Sequence, residues 1–433
     1  VSHEAALRAA VPEDVAELMG ELRAAGFAAY VVGGAVRDTL AGRTPADWDL
    51  ATDATPEQLR SAFPDAQYEN RFGTVGIPTS AGVREVTTFR ADGPSSDARR
   101  PDAITFLGAI EGDLARRDFT INAMAFGAPS GAHGDPVASG TLTDPFGGAA
   151  DLSAGLLRAV GDPSERFRED ALRMLRAARF ATRFSLTIEP ATAAAIRRDA
   201  ALVATLSGER IGAEIEGVLA AENPAPGLNA LYELGLTAQI APELHAAWVT
   251  ELPARVAAVG RAGSQDAPDP IGRLAELLAV ITDDAVVEKV LTAWRRPRAT
   301  LHAVAALRAA DRSAAAAERG EIDAASYRIA TAAQSGDPRD AARQLRRRIA
   351  SGRATPAAAT LLALCERADE QQLPALVADL AADGGAIIAA INEQPGAWVK
   401  PLLEELLQQV AHGKLENRRD ALVAAAKQLH EKK

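Results

Sequence analysis

The sequence predicts an α+β protein, an N-terminal α/β head followed by an all-helical remainder. Three observations point there. Over the first ~145 residues short apolar runs alternate with glycines and amphipathic stretches, the texture of strands interleaved with helices. Beyond Asp162 the chain reads almost wholly at helical period, with proline and glycine punctuation near 223–227, 263–270, 335–338 and 393–396. Aromatics make up only 4% of the residues while alanine is abundant, which favours helices packed on small side chains over a β-sandwich.

Taken in order, an amphipathic stretch from Pro12 to Ala25 predicts the first helix. Gly26 leads into Phe27-Ala28-Ala29-Tyr30-Val31-Val32, a strand candidate that Gly33 and Gly34 break. A helix is expected from Ala35 to Leu40, a second strand at Trp48–Ala51 and a third at Val83–Phe89. Two glycine-rich segments near 127–148 close the head. No fixed-period repeat and no extended low-complexity tract is present.

Composition narrows the class. A chain of 433 residues is too long for one compact core, so about two to four domains are expected. Hydrophobic residues at 48% and charged residues at 24% are ordinary for a soluble protein. No stretch approaches the ~18–20 unbroken apolar residues of a membrane helix, and no basic-then-apolar leader opens the sequence. Cys365 stands alone, which excludes an internal disulfide and a cysteine-held zinc. A cytoplasmic protein with no membrane partner is the expectation. The net charge of −11 argues against bulk attraction to polyanions, but phosphate binding depends on local clusters. Such clusters occur at Arg99 and Arg100, at Arg116 and Arg117, at Arg295, Arg296 and Arg298, and through Arg339, Arg343, Arg346, Arg347, Arg348 and Arg353. Each reads equally as a solvated helix face.

The carboxylates carry the chemistry. In Asp47-Trp48-Asp49, at the start of a short apolar strand, residues two apart point the same way. Two adjacent anions held together are costly without a cation, and hard oxygen ligands at this spacing suit Mg²⁺. Alone the pair is a weak signal, because most such pairs are surface turns. Glu85 on a later strand could bring a third carboxylate to the same edge, or stand exposed. Upstream, strand–Gly33–Gly34–helix with Arg37 resembles a phosphate cradle, free backbone N–H groups plus a cation. The plain alternative is a tight turn beside a surface Arg37–Asp38 pair, which leaves the nearby acidic strand unexplained. Such a set supports phosphoryl transfer by two metal ions.

At this point the sequence resembles the class II tRNA nucleotidyltransferases, the CCA-adding enzymes, with bacterial poly(A) polymerases as close relatives. Five ordered segments between ~30 and 245 carry the likeness. They are Gly33-Gly34-Ala35-Val36-Arg37-Asp38 with Asp47-Trp48-Asp49; Arg116-Arg117-Asp118-Phe119-Thr120-Ile121-Asn122; and Asp144-Pro145-Phe146-Gly147-Gly148 with Asp151. Then follow Arg166-Phe167-Arg168-Glu169-Asp170-Ala171-Leu172-Arg173-Met174-Leu175-Arg176 and, more weakly, Glu209-Arg210 with Glu214. The resemblance implies a polymerase β-like head over 1–148, a base-recognising neck over 149–218, a body over 219–319 and a tRNA-binding tail over 320–433. It implies Asp47 and Asp49 as ligands of two Mg²⁺ ions, with Glu85 beside them as a catalytic carboxylate. It implies Gly33, Gly34, Arg37, Arg117, Asp118, Asn122, Glu169, Asp170, Arg173 and Arg176 as nucleotide-binding residues. Arg99, Arg100, Arg343, Arg346 and Arg347 are candidate RNA contacts.

The Glu169–Arg176 segment can be reasoned through chemically. Asp162 as N-cap, Pro163 in the first turn and Glu165 closing a capping box predict a helix start. On that helix Phe167, Ala171, Met174 and Ala178 form one stripe, and Asp170 and Arg173 lie side by side on another. A carboxylate beside a guanidinium offers an acceptor next to donors. Cytosine (N4–H₂ beside N3) and adenine (N6–H₂ beside N1) both fit. Uracil and guanine reverse the pattern and leave polar groups opposed, at a cost on the order of a few kcal/mol. One side-chain pair thus selects C and A without a template.

Within the family, Asn70-Arg71-Phe72-Gly73-Thr74 looks more like the CCA-adding form than the basic stretch of poly(A) polymerases, and the 90–101 loop looks full-length. The expected activity is therefore addition of C, C and A to the tRNA 3′ end from CTP and ATP. The alternatives are A-only or CC-only addition, poly(A) polymerisation, and a non-catalytic RNA-binding protein. The six histidines form no His-Asp pair, so no HD-type phosphohydrolase domain is expected.

Overall fold

The computed structural model describes residues 2–68, 73–92, 104–261, 269–335 and 356–431, together with 337, 339, 342, 343, 345, 346 and 349. Arg99, Arg100 and Arg347, residues 93–101 of the 90–101 loop, and Asn70, Arg71 and Phe72 lie outside the described residues. The chain divides into two compact units, one formed by 1–256 with 285–296 and the other by 257–284 with 297–433. The body expected over 219–319 straddles both.

The first unit opens with a helix that sequence reading missed, α1 (His3–Ala10), whose Ser2 hydroxyl caps Ala5 N–H at 3.2 Å. Helix α2 (Glu13–Ala24) falls where expected, because Val15, Leu18, Met19 and Leu22 recur at helical spacing and bury one stripe. Strand β1 (Ala29–Val32), helix α3 (Gly34–Leu40) and strand β2 (Leu50–Thr52) follow. Trp48 and Asp49 precede β2 rather than opening it. Yet the alternation expected of them holds, since Trp48 is buried and Asp47 and Asp49 are exposed. Helix α4 (Pro56–Ala62) starts on a Thr55–Gln58 capping box.

Strands β3 (Gln67–Tyr68), β4 (Thr74–Thr79) and β5 (Gly82–Thr88) follow, then a small β6 (Arg90–Asp92) and β7 (Ile104–Phe106) pair. Helix α5 (Ile110–Ala115) leads through a 3₁₀ turn (Thr120–Asn122) to β8 (Ala125–Ala128), β9 (Thr141–Thr143) and α6 (Gly148–Ser153). The main sheet has the order β3-β4-β5-β2-β1-β8-β9, with only β2 and β5 parallel. One face packs Val31, Leu50, Val86 and Phe126 onto α1 and α2; the other carries Tyr30, Val32, Ala51 and Ala125 against Ile110 and Leu114 of α5.

Sequence reading found one continuous helix from Asp162. The structure breaks it. Helix α7 (Pro163–Glu169) ends at Asp170, whose backbone is extended (φ −149°, ψ 105°), and α8 (Leu172–Phe184) begins afresh. The Asp162 cap on Ser164 N–H and the proline in the first turn are as expected, but the reciprocal bond from Glu165 is absent. Phe167, Ala171, Met174 and Ala178 are all fully buried, so the apolar stripe survives the break. Strands β10 (Leu156–Leu157) and β11 (Thr187–Ile188), helix α9 (Pro190–Asp199) and helix α10 (Gly208–Leu219) complete the framework around the cleft.

Among its described residues the second unit contains helices and no strand. Helices Ala324–Ser335 and Pro356–Glu370 share a core with Tyr327, Leu361 and Ala368. Helices Gly384–Ile391, Val399–Ala411 and Arg419–Glu431 close another around Ile387, Leu406 and Leu422.

Candidate active site

Strand β1 ends beside the acidic pair. Val32 N–H donates to the Asp49 carbonyl at 3.0 Å, and the next residue, Gly33, turns the chain into α3 with φ +63° and ψ −111°. That backbone favours glycine, and a Cβ on Gly33 would also meet Arg117 Nη1 at 2.4 Å and push it aside. Gly33 N–H is spent on the Met124 carbonyl at 3.0 Å, but the first N–H groups of α3, from Gly34, have no helical acceptor and stand at the rim of a cleft of 460 Å³. Gly33, Gly34, Arg37, Asp49, Arg116, Arg117, Asp118, Asn122, Asp170, Leu172, Arg173, Arg176 and Arg210 line that cleft.

The sequence-predicted residues therefore converge, with exceptions. Asp49 lines the cleft and Asp47 does not. Leu50 pairs with Val86 in parallel register, and both bury into the same face of the sheet. One step back, that register sets Asp49 beside Glu85 on the opposite face, away from that core. Glu85 is exposed on β5 and does not line the cleft. Among the described residues no three acidic, histidine or cysteine side chains already converge as a metal cage. The donor set nonetheless suits a hard cation. Desolvation and the neighbouring Asp47 raise the pKa of Asp49, while Arg117 opposes the rise. The pair lacks positive charge rather than negative.

Arg37 is not a free phosphate hook. Its guanidinium is buried, donates to Asp38 Oδ1 at 2.8 and 2.6 Å and to Asn122 Oδ1, and lies over the rings of Phe180 (5.3 Å) and Phe184 (4.6 Å). Burial lowers its pKa despite Asp38. Asp118 is likewise committed. Oδ1 accepts from Phe119 N–H and Asn122 Nδ2, both at 2.8 Å, and Oδ2 accepts from Arg176 Nε at 2.7 Å. Burial alone would raise its pKa, but Arg176, Asn122 and the Phe119 amide outweigh that and hold it below the ordinary Asp value. Asp113, nearly fully buried within α5, binds Arg116 at 2.8 Å and Arg117 at 3.2 Å and fixes both heads toward the cleft.

The break between α7 and α8 corrects the expected side-by-side pair. Arg173 N–H donates to the Asp170 carbonyl at 3.1 Å, but the two side chains take other partners. Asp170 Oδ1 accepts Leu172 N–H at 3.0 Å, capping α8, and Arg210 Nη2 bridges both oxygens at 3.0 and 2.8 Å. Arg173 instead uses Nη1 on the Arg166 carbonyl (3.2 Å) and Glu169 (2.8 Å) and Nη2 on the Arg116 carbonyl (2.9 Å). Of its five N–H donors, Nε–H and one on Nη2 remain. Asp170 keeps a lone pair on Oδ2. Glu169 holds Arg166 and Arg173 and does not itself line the cleft. Arg210 was absent from the predicted site, and its contact to Asp170 spans forty positions. The only signal for it was the weak Glu209-Arg210 segment.

In the second unit Arg343 and Arg346 are exposed and pair with Asp337 (2.6 Å) and Glu366 (3.2 Å). No helix among the described residues is long and apolar enough to cross a membrane.

Comparison with known proteins gives three matched regions. Residues 29–158 match the poly A polymerase head domain, 185–248 the probable RNA and SrmB-binding site of polymerase A, and 273–426 the tRNA nucleotidyltransferase domain 2. A CCA-adding enzyme of Geobacillus thermodenitrificans is 32% identical over 94% of this chain and 94% of its own length. One from Geobacillus kaustophilus is 33% identical, covering 95% of this chain and 96% of that protein. Among solved structures, the Bacillus stearothermophilus CCA-adding enzyme in complex with CTP aligns with TM-score 0.69 and 28% identity over 97% of this chain and 98% of that one. The Thermotoga maritima CCA-adding enzyme complexed with tRNA shares the fold, with TM-score 0.58 and 19% identity over 98% of each chain.

Proposed function

This chain belongs to the CCA-adding tRNA nucleotidyltransferases, and from that premise we propose the residues by which it works. It adds C, C and A in turn to the 3′ end of tRNA, taking them from CTP and ATP and releasing pyrophosphate. One observation carries the assignment of roles. The glycine turn, Asp49, the arginines of the Arg116-Arg117 pair and Asp170 with Arg173 face a single cleft.

At each addition the tRNA 3′ oxygen bonds to the α-phosphorus of the nucleotide, and the bond from that phosphorus to the bridging oxygen of pyrophosphate breaks. The hydroxyl proton leaves to the carboxylate cluster or to water. The N–H groups that open α3 from Gly34 onward, with Arg116 and Arg117, hold the triphosphate and offset its charge, while Gly33 sets the turn that aims them. Asp47 and Asp49, with Glu85 beside them in register, are the residues that would hold Mg²⁺. Two ions at these carboxylates would supply Lewis-acid activation of the hydroxyl and charge neutralisation of the leaving pyrophosphate.

Asp170 and Arg173 read the base from the two sides of the α7–α8 break. The open lone pair of Asp170 accepts from the exocyclic amine of C or A, and the free Arg173 N–H groups donate to the ring nitrogen. Arg176, Asp118, Asn122 and Arg37 keep α8 in place beneath them. The division into head (1–148), neck (149–218), body (219–319) and tail (320–433) is part of the same proposal. Arg343 and Arg346 in the tail can trade their exposed carboxylate partners for RNA phosphates at little cost.

The test offers tRNA ending before the first C, after one C and after two, with CTP and ATP separately and together, in Mg²⁺. Stepwise C, C, A addition followed by arrest is expected. Long A tails, or extension of the CC-ended substrate alone, would sink the reading.

A further inference from the structure

Arg183, at the C-terminal end of α8, lies outside the five motifs, yet it closes a ring of charge that joins two parts of the cleft. Starting from the base-reading helix, Arg176 on α8 holds Asp118 Oδ2 at 2.7 Å, and Asp118 Oδ1 holds Asn122 Nδ2 at 2.8 Å. Asn122 Oδ1 accepts from Arg37 on α3, and Arg37 grips Asp38 Oδ1. Asp38 Oδ2 then accepts from Arg183 Nη2 at 3.1 Å, and the path is back on α8. Phe180 and Phe184 of the same helix lie under the Arg37 guanidinium, and Arg43 and Arg183 flank Phe184 at 4.8 and 5.2 Å.

The ring matters because of what the backbone does not do. Helix α3 packs against α1, α6, β1 and the Thr120–Asn122 turn, but it meets α8 mainly through these side chains. Besides the Arg173 bond to the Arg116 carbonyl and the stacking of Arg37 on Phe180 and Phe184, two ion pairs hold α8, one from Arg176 in its first half and one from Arg183 at its C-terminal end. The Arg176–Asp118 tie belongs to the cleft itself. The Arg183–Asp38 tie lies on a residue that is 42% exposed, against a carboxylate that is 5% exposed, and Arg183 does not line the cleft.

We propose that Arg183 is a positioning residue: through Asp38 it sets the distance between the triphosphate seat at Gly33–Gly34 and the base-reading face at Asp170 and Arg173, so that both ends of one nucleotide are gripped at once. This rests on the roles assigned above. A seat for phosphate alone does not need the tie. A seat for a whole nucleotide does, because its base and triphosphate are joined by a fixed length of covalent structure and both grips must match it.

The experiment uses the full chain with tRNA lacking its CCA end, and three probes: CTP, ATP and inorganic tripolyphosphate as an inhibitor that engages the phosphate seat alone. Arg183→Ala is expected to raise KM for CTP and ATP together by roughly five- to tenfold, while tripolyphosphate inhibition stays within about twofold. Arg183→Lys, which keeps a cation in reach of Asp38, should restore most of the loss. Arg183→Gln serves as the neutral control if the alanine variant folds poorly, with thermal unfolding of each variant recorded.

Unchanged KM values in Arg183→Ala overturn the proposal. So does parallel weakening of tripolyphosphate, which would make Arg183 a phosphate contact. A lowered melting temperature with no rescue by lysine also overturns it, in favour of a stability role. Failure of the unaltered protein to incorporate C or A would instead refute the proposed function.

Discussion

Asp118→Asn removes one charge while keeping the side chain's shape, which makes its cost calculable. Asp118 is 7% exposed and both oxygens are in use. The amide oxygen of Asn can still accept from Phe119 N–H and Asn122, but its NH₂ then faces Arg176, donor against donor. The contacts from Nε and Nη2 of Arg176, both at 2.7 Å, are lost, and a partly buried guanidinium loses its nearest counter-charge, with Glu214 and Asp170 left as weaker ones. Breaking a fully buried ion pair costs about 3–5 kcal/mol, and a surface pair is worth below about 1 kcal/mol. Arg176 is 32% exposed, so water recovers part of the loss and about 2–3 kcal/mol is expected.

The double variant Asp118→Asn with Arg176→Met should lose less than the sum of the two singles, since methionine removes the stranded charge. The assay is urea unfolding followed by hydrogen exchange at the amides of Phe119 and of α8, which reports on the first unit alone. The pH dependence has a definite sign. Because the folded pKa of Asp118 is depressed, its stabilisation is fully present above the unfolded value near 3.9 and is lost as pH falls below about 4 toward the folded value. Asp118→Asn should flatten that acid limb. A loss under about 1 kcal/mol, or strict additivity in the double variant, would refute the view of Asp118 as the anchor of α8.

Gly33→Ala should lower turnover by about tenfold or more, because its Cβ meets Arg117 and the backbone sits at φ +63°; equal rates for the variant would contradict that crowding. Asp47→Ala should cut nucleotide addition by about 10³-fold with tRNA affinity nearly unchanged, measured by single-turnover extension and filter binding. Strong residual turnover would remove it from the ligand set. Asp170→Ala should raise the rate with UTP relative to CTP, read by competing the two on one tRNA. Unaltered selectivity would count against base reading at the α7–α8 break. Arg210→Gln should weaken that discrimination in the same direction and to a smaller degree, since Asp170 stays but loses its clamp.

Much of the head was legible because its signals are local. Val15, Leu18, Met19 and Leu22 spell α2 by spacing, Gly33 and Gly34 mark the turn, and Asp162-Pro163 marks the start of α7. The failures share a cause. Nothing between Glu169 and Leu172 breaks a helix by composition, and the break depends on Asp170 capping Leu172 and on Arg210 reaching it from α10. Strand β4 hid because Gly76 and Pro78 argue against a strand, whereas pairing with β5 on one side and β3 on the other stabilises it. Strand β9 fell inside the stretch near 127–148 read only as glycine-rich, and β8 ran into its start. Arg37 looked like a phosphate ligand from its place after two glycines. Only the three-dimensional arrangement reveals Asn122, Phe180 and Phe184 around it.

The strand order has a consequence for how the molecule wears. Glycine turn, acidic pair and Glu85 all leave from β1, β2 and β5, each flanked by a neighbour on both sides. The outermost strands are β3, two residues long, and β9, three residues long, and neither contributes a side chain to the cleft. Fraying begins at such margins, where few hydrogen bonds must open. Opening of an outer strand therefore leaves the hydrogen bonds that flank β1, β2 and β5 in place, so the groups they carry stay together.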